Sequence, residues 1–281
     1  MTDLTALPWR LWARQAGSVV RLEMKKSFLA RRALWIYLLA GLPLVLTAGH
    51  SLIESARTHP GCSIPEDSMI YAGIFQFFYL RLGIFFGCVG IFSNLFRAEM
   101  LEKTMHYYLL TPVRREVLLA GKYLAGLITA VILFTTSVVL SFLTVSAHFG
   151  PQYRDFILNG PGGWQLGWYA TVTALACAGY GAVFLVTGLL YRNPMIPAAV
   201  IMVWEAINGF LPGLLQKFSV TFYLKSLSPV EVPVKGPLAL IAVNVEPAPA
   251  WIAIPGLLLV SAAILFFAAR RASRLEISYT E

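Results

Sequence analysis

Six long apolar runs constrain the fold of this chain more than any other feature. They cover residues 33–53, 69–96, 118–147, 166–191, 195–215 and 251–269. A helix needs about 20 residues to cross the hydrocarbon layer of a bilayer. A segment inside lipid must also satisfy its own backbone hydrogen bonds, which favours the α-helix. The runs therefore predict an all-α polytopic membrane protein with six transmembrane helices over residues 33–269.

The low charge of the chain supports the same class. Only 13% of its residues are charged, and its mean hydropathy is +0.69. Soluble domains carry about 25% charged residues. A single soluble domain of this length is excluded.

The distribution of Lys and Arg predicts the orientation. Six spans place both chain ends on one side. That side holds sixteen of the 22 basic residues, whereas the opposite loops hold five. We expect residues 1–32 and the tail 270–281 to be cytoplasmic. The net charge of +8 is then a topology signal, and no nucleic-acid partner is needed to explain it.

The segment before the first span predicts an amphipathic helix. Trp9, Val19 and Met24 recur on one face, and Arg10 and Arg21 on another. Such a helix lies in the membrane interface, with its cations near anionic lipid. The alternative is a basic flank that only sets topology.

The predicted outer connection 216–250 is the longest and is unusually apolar, with five prolines. We expect a short re-entrant or interfacial element there, because an exposed apolar loop is unfavourable in water.

The connection between spans two and three, residues 97–117, contains the most informative motif. An Arg-x-Glu is followed by Lys-Thr, a Leu-Leu with a nearby proline and arginine, and Gly-Lys before the next span. The matching residues are Arg97, Glu99, Lys103, Thr104, Leu109, Leu110, Pro112, Arg115, Gly121 and Lys122. This segment resembles the signature of the permease subunits of type-2 ABC exporters. One departure is that only Thr111 separates Leu110 from Pro112.

The resemblance implies a coupling helix in this connection that docks on a separate cytoplasmic P-loop ATPase. The residues assigned to that coupling are Arg97, Glu99, Glu102, Lys103, Thr104, Leu109, Leu110, Pro112 and Arg115. It further implies a dimer with a second copy or a related permease, export, and the inner membrane of a bacterium. The alternative is an ordinary basic loop held by lipid headgroups.

The chain lacks a P-loop, which requires G-x-x-x-x-G-K-[ST]. Tyr123 follows Gly121-Lys122, and Glu116 stands where the first glycine is required. We therefore expect ATP and Mg²⁺ to bind in the partner subunit, and this chain to have no cofactor.

Two charges fall inside predicted spans, Arg81 and Glu205. Such charges are costly in lipid and usually functional. Asn208, Gln76 and Tyr79 lie close to them in sequence. In the resembled family these two spans line the central cavity, so the five residues are candidates for a translocation path. A structural Arg81–Glu205 pair is the open alternative.

No spacing of the four histidines or three cysteines suggests a metal site or a catalytic group. The favoured function is an ATP-driven exporter permease. The alternatives are an intramembrane enzyme using Glu205, Arg81 or a histidine, and a membrane anchor or assembly subunit without transport.

Overall fold

The computed structural model describes residues 9–29, 33–57, 63–101, 110, 113–191, 193–230, 232 and 248–273. Throughout this part of the chain the regular structure is helical, which confirms the predicted all-α class. The α-helices are α1 (Trp9–Leu29), α2 (Ala33–Ser55), α3 (Ile64–Gly73), α4 (Ile84–Phe92), α5 (Asn94–Leu101), α6 (Arg115–Val145), α7 (Pro151–Leu158), α8 (Gly162–Leu190), α9 (Met195–Ile207), α10 (Gly213–Gln216), α11 (Val220–Ser226) and α12 (Ala250–Ser273). Short 3₁₀ turns occupy Ala147–Phe149 and Asn208–Phe210.

Five helical stretches are long and apolar enough to cross a membrane: Leu34–Ser55, Ile64–Met100, Arg115–Val145, Gly162–Leu190 and Ala250–Ala272. The predicted run 195–215 differs, because α9 ends at Ile207. A 3₁₀ turn, Pro212 and the short α10 follow it. Proline has no backbone N–H and its ring crowds the preceding turn, so Pro212 favours the interruption seen here. Five predicted spans thus have a full-length helix, and the remaining one has a helix of 13 residues.

The bundle is organised around α6 and α8. Helix α6 packs against α1, α2 and α8, and α8 packs against α4 and α12. Small residues permit the closest approaches. A Cβ atom at Gly188 of α8 would lie 2.6 Å from the carbonyl oxygen of Ser93, between α4 and α5. This contact fixes one end of the second span against α8.

A cluster of aromatic rings fills the core between α3, α6 and α8. The ring centroids of Tyr71 and Phe142 are 5.2 Å apart, and those of Phe75 and Tyr169 are 4.6 Å apart. The Tyr71 hydroxyl donates to the carbonyl oxygen of Val138 at 2.8 Å. The buried Tyr71 hydroxyl therefore has a partner, whereas the buried Tyr169 hydroxyl makes no hydrogen bond to a described residue.

A polar cluster lies at the end of the bundle where α2 ends and α3 begins. Asp67 is fully buried, with its Oδ1 3.2 Å from Nε2 of His50 and its Oδ2 3.8 Å from Nε2 of His148. The spacing of the histidines in the sequence did not predict this grouping. Across the residues that the structure describes, no three metal-binding side chains are arranged to hold an ion.

The predicted N-terminal helix is present as α1. It packs on α6, where Val19 lies so close to Gly121 that a Cβ atom there would be 3.0 Å from the valine. Trp9 at its start is 65% exposed. The position of α1 in a membrane interface stays a prediction.

Candidate functional site

A buried ion-pair network joins three helices where α1 crosses the start of α6. We call Glu23, Lys26, Glu99 and Lys122 the junction. Lys122 of α6 is fully buried, and its Nζ lies 2.7 Å from Glu23 Oε1 of α1 and 2.8 Å from Glu99 Oε2 of α5. It also donates to the carbonyl oxygen of Leu95 at 2.8 Å. Lys122 is therefore the centre of the junction.

Both carboxylates of the junction have a second cation nearby. Lys26 Nζ lies 3.4 Å from Glu99 Oε1 and 3.9 Å from Glu23 Oε1. Glu23 and Glu99 are buried, whereas the Lys26 side chain is half exposed. Burial raises the pKa of the Glu23 carboxyl, and the charge of Lys122 opposes this rise. Each buried charge of the junction thus lies near two charges of opposite sign, which offsets part of the cost of burying it.

Further contacts extend the junction to neighbouring helix ends. The Arg114 guanidinium lies 4.9 Å from the ring centroid of Trp12 in α1. Arg115 Nη1 donates to the carbonyl oxygen of Ala272 in α12 at 3.4 Å. The start of α6 thus contacts both the first and the last described helices. A displacement of α5 would be transmitted to α1 and α6 through charged contacts.

A second polar group lies on the second span and at the end of α9. We call Gln76, Arg81, Glu205 and Asn208 the polar site. Gln76 and Arg81 belong to a ten-residue π-helical segment, Ile74–Gly83, which we call the π segment. The π-helix bonds residue i to i+5 and often marks functional sites. Gln76 and Arg81 are five residues apart and therefore face the same side.

Glu205 caps the start of α11. It is 8% exposed and accepts hydrogen bonds from the backbone N–H groups of Val220 and Thr221, both at 3.1 Å, and from the Ser219 hydroxyl. A carboxylate at a helix N-terminus satisfies N–H groups that have no partner within the helix. Glu205 thereby holds α11 against α9.

The other members of the polar site reinforce this arrangement. Asn208 Nδ2 donates to the carbonyl oxygen of Gln216 at 3.3 Å. Gln76 Nε2 donates to Ser228 Oγ at 3.3 Å and to the carbonyl oxygen of Val230 at 3.0 Å. The segment after α9 therefore folds back and is tied to the second span.

Comparison with known proteins identifies the family. Residues 19–208, about two thirds of the chain, match the model of a family described as ABC-2 family transporter protein. The chain belongs to the ABC-2 transporter family. A search among curated proteins finds no match. Membership confirms the resemblance seen in residues 97–122 and the role of a transport permease in the membrane.

The ABC-2 assignment gives the junction a context. Of the residues expected to couple to an ATPase, Glu99 is buried in the junction, Arg97 is partly buried and Leu110 is 80% exposed. Arg115 contacts α12. Glu102, Lys103, Thr104, Leu109 and Pro112 lie outside the described residues. The structure therefore brings Glu99 and Arg115 to the base of the bundle and leaves Leu110 open to contact.

Sequence reasoning missed Glu23 and the burial of Lys122. The sequence marked Lys122 only as part of the Gly-Lys motif before the third span. One signal was present, because Glu23 is the single acidic residue between Trp9 and Arg32. A lone acidic residue in a basic helix is a candidate for an ion pair, and Glu is seldom fully buried unless it is paired.

The candidate path residues divide into two groups. Gln76, Glu205 and Asn208 hold the segments around α11, as described above. Arg81 lies on the π segment with Gln76, and its guanidinium contacts the ring of Phe77. Tyr79 lies elsewhere, because its hydroxyl hydrogen-bonds to Ser137 at 2.6 Å and to Ser141 at 2.8 Å in the core against α6. Among the described residues, no ion pair joins Arg81 to Glu205.

Proposed function

We propose that this chain is the permease subunit of an ATP-driven ABC exporter and couples to a separate cytoplasmic ATPase through residues 97–117. The observation that supports it best is the triple contact of Lys122 with Glu23, Glu99 and Leu95. It makes the base of the second span, the third span and α1 one rigid unit. A force applied to residues 97–117 would then move the spans and would not merely bend a loop.

The contact with the ATPase is assigned to the exposed part of that connection. Leu110 is 80% exposed, whereas Glu99 is buried and serves to position the connection. Exposed apolar side chains rimmed by charge are typical of protein interfaces. In this proposal both chain ends are cytoplasmic, two permease chains form the transporter, and ATP with Mg²⁺ binds only in the ATPase.

The polar site lies on the proposed translocation path. Its charged residues are on the second span and on the interrupted helix after residue 195. Interrupted helices in transporters expose backbone groups that line a path for polar substrates. The fold of α9 to α11 therefore supports a path along this face.

The test is purification of the tagged full chain from its host in mild detergent, followed by an assay for associated ATPase activity. We expect a P-loop ATPase to co-purify, and Leu110→Asp to abolish its retention. The matched control is Leu158→Asp on α7, where the leucine is 67% exposed and remote from the junction. This control should retain the ATPase.

Two results would overturn the proposal. One is a wild-type chain without an ATPase under conditions that preserve other membrane complexes, which would favour an enzyme or an anchoring subunit. The other is equal ATPase retention by Leu110→Asp and the wild-type chain, which would remove residues 97–117 from the contact.

A further inference from the structure

Among the residues that the structure describes, the Arg81 guanidinium has no carboxylate partner. It lies within the apolar stretch Ile64–Met100, half-buried, at 5.4 Å from the ring centroid of Phe77. Its Nε atom is shielded from solvent and makes no hydrogen bond to a described residue. None of the ion pairs formed by described residues includes it. A cation at this depth is costly unless an anion or water compensates it.

Glu205 is not available for that role. Its two carboxylate oxygens already accept three hydrogen bonds from Ser219, Val220 and Thr221. These donors are at the N-terminus of α11, where the helix dipole also stabilises negative charge. Turning Glu205 towards Arg81 would leave the start of α11 without its cap.

A second cation, Lys225, lies on α11, which packs against the π segment. Lys225 is an exposed residue near the end of that helix. Desolvation by the surrounding chain and the positive charge of Arg81 lower the pKa of Lys225, and Glu205 acts in the opposite direction. The hydrogen bonds from Gln76 to Ser228 and Val230 hold this end of α11 against the π segment. The two cations therefore belong to one surface.

This surface is open in the single chain. Phe77, beside Arg81, is 53% exposed, and Phe218, just before α11, is 78% exposed. An arginine fork binds phosphate or carboxylate through two parallel hydrogen bonds, and a lysine adds a point charge. The ring of Phe77 beside Arg81 would hold the non-polar part of the same ligand.

We propose that Arg81 and Lys225 form a binding site for the phosphate or carboxylate group of an amphipathic anion. The proposal extends the proposed function, since it assigns this anion as the substrate class of the translocation path. Arg81 is 18 positions from Glu99, roughly 27 Å along a helix at about 1.5 Å per residue. In the proposed orientation the site is therefore in the outer half of the bilayer, near the end of an export path.

The experiment measures binding to the purified full chain in a neutral detergent by native mass spectrometry. The probes are dioleoylphosphatidylglycerol and dioleoylphosphatidylcholine, which differ in headgroup charge. We expect the wild-type chain to retain one phosphatidylglycerol tightly. In Arg81→Gln/Lys225→Gln the dissociation constant should be about tenfold higher, because charge-assisted hydrogen bonds are lost. Arg154→Gln/Lys217→Gln removes two exposed cations and is the matched control, which should bind like the wild type.

A competition with inorganic pyrophosphate identifies the source of the anion. Displacement of the lipid means that the site accepts phosphate from water, and retention means that it takes an anionic headgroup from the bilayer. If the double variant does not fold, Lys225→Gln alone replaces it in the test. Lys225 is exposed, so this variant should fold and should bind the lipid more weakly. The proposal is overturned if all variants retain phosphatidylglycerol like the wild type and pyrophosphate has no effect. No ATPase is present in this assay, so a negative binding result leaves the coupling proposal intact. Likewise, failure of an ATPase to co-purify with the chain leaves the anion-binding proposal intact.

Discussion

Glu205 accepts a hydrogen bond from the backbone N–H of Val220 at 3.1 Å, so a carboxylate on one helix holds the start of another that begins 15 positions later. The intervening residues include Pro212 and a 3₁₀ turn, which cannot maintain a straight helix. The position of α11 thus depends on this side chain.

Replacing Glu205 should release α11. We expect Glu205→Ala to cost about 2 kcal/mol, because hydrogen bonds to a charged acceptor are lost from a buried site. Hydrogen exchange followed by mass spectrometry should show faster exchange confined to residues 217–227. Glu116→Gln changes an exposed glutamate on α6 and should leave that exchange unchanged. Unaltered protection of residues 217–227 in Glu205→Ala would refute the capping role.

Removing the central cation of the junction should be strongly destabilising. Lys122→Met leaves Glu23 and Glu99 buried with reduced compensation, and breaking a buried ion pair in this way costs about 3–5 kcal/mol. Thermal unfolding of the detergent-solubilised chain measures the loss. Adding Glu23→Gln and Glu99→Gln to Lys122→Met should restore part of the stability.

Lys26→Met should change stability by about 1 kcal/mol or less, because its side chain is 50% exposed. Equal losses for Lys122→Met and Lys26→Met would contradict the central position of Lys122.

The raised pKa of Glu23 predicts a pH dependence of stability. Burial is the main cause of the rise, so the folded chain binds a proton at pH values where the unfolded chain, with an ordinary value of 4.5, does not. Stability contributed by this group therefore falls as the pH increases from 4.5 through the raised value. Unfolding midpoints measured from pH 4.5 to 7 should decline less steeply for Glu23→Gln than for the wild type. Parallel pH profiles for the two proteins would argue against this titration.

The close contact between α8 and the end of α4 predicts that adding a methyl group at Gly188 destabilises the protein. A Cβ atom at Gly188 would lie 2.6 Å from Ser93 O and 2.7 Å from Ser93 Cα, both backbone atoms. Gly188→Ala should lower the free energy of unfolding by about 1–3 kcal/mol, as overpacking does. Gly167→Ala on the same helix is the control, since no atom lies within 4 Å of its new Cβ. If the two variants unfold at the same temperature, the helices are not in the close contact described.

Long helices were predictable from the sequence because hydropathy alone places them in lipid. The helix boundaries in the run 195–215 were harder to predict. Its mean hydropathy is high throughout and does not reveal that the helix ends at Ile207 or that Pro212 follows. The π segment has no local signature. It separates Tyr79, which contacts Ser137 in the core, from Gln76 and Arg81, with which sequence proximity had grouped it.

The coupling connection was recognisable from its motif, but the role of Glu99 was not. The spacing of Glu99 and Lys103 in the sequence allows a local i, i+4 ion pair, and Lys103 lies outside the described residues. The partners that the structure describes are Lys122 and Lys26, from α6 and α1. Such partners depend on tertiary packing between distant segments, which no short-range spacing reveals.

The separation of 99 positions between Glu23 and Lys122 has a consequence for biosynthesis. The ribosome completes α1 long before Lys122 is made, so for that interval Glu23 lacks the partner that compensates its burial in the finished protein. We infer that α1 docks only after α6 has left the ribosome. Nascent chains that end before residue 122 should keep α1 open to proteolysis, and chains that extend beyond α6 should protect it.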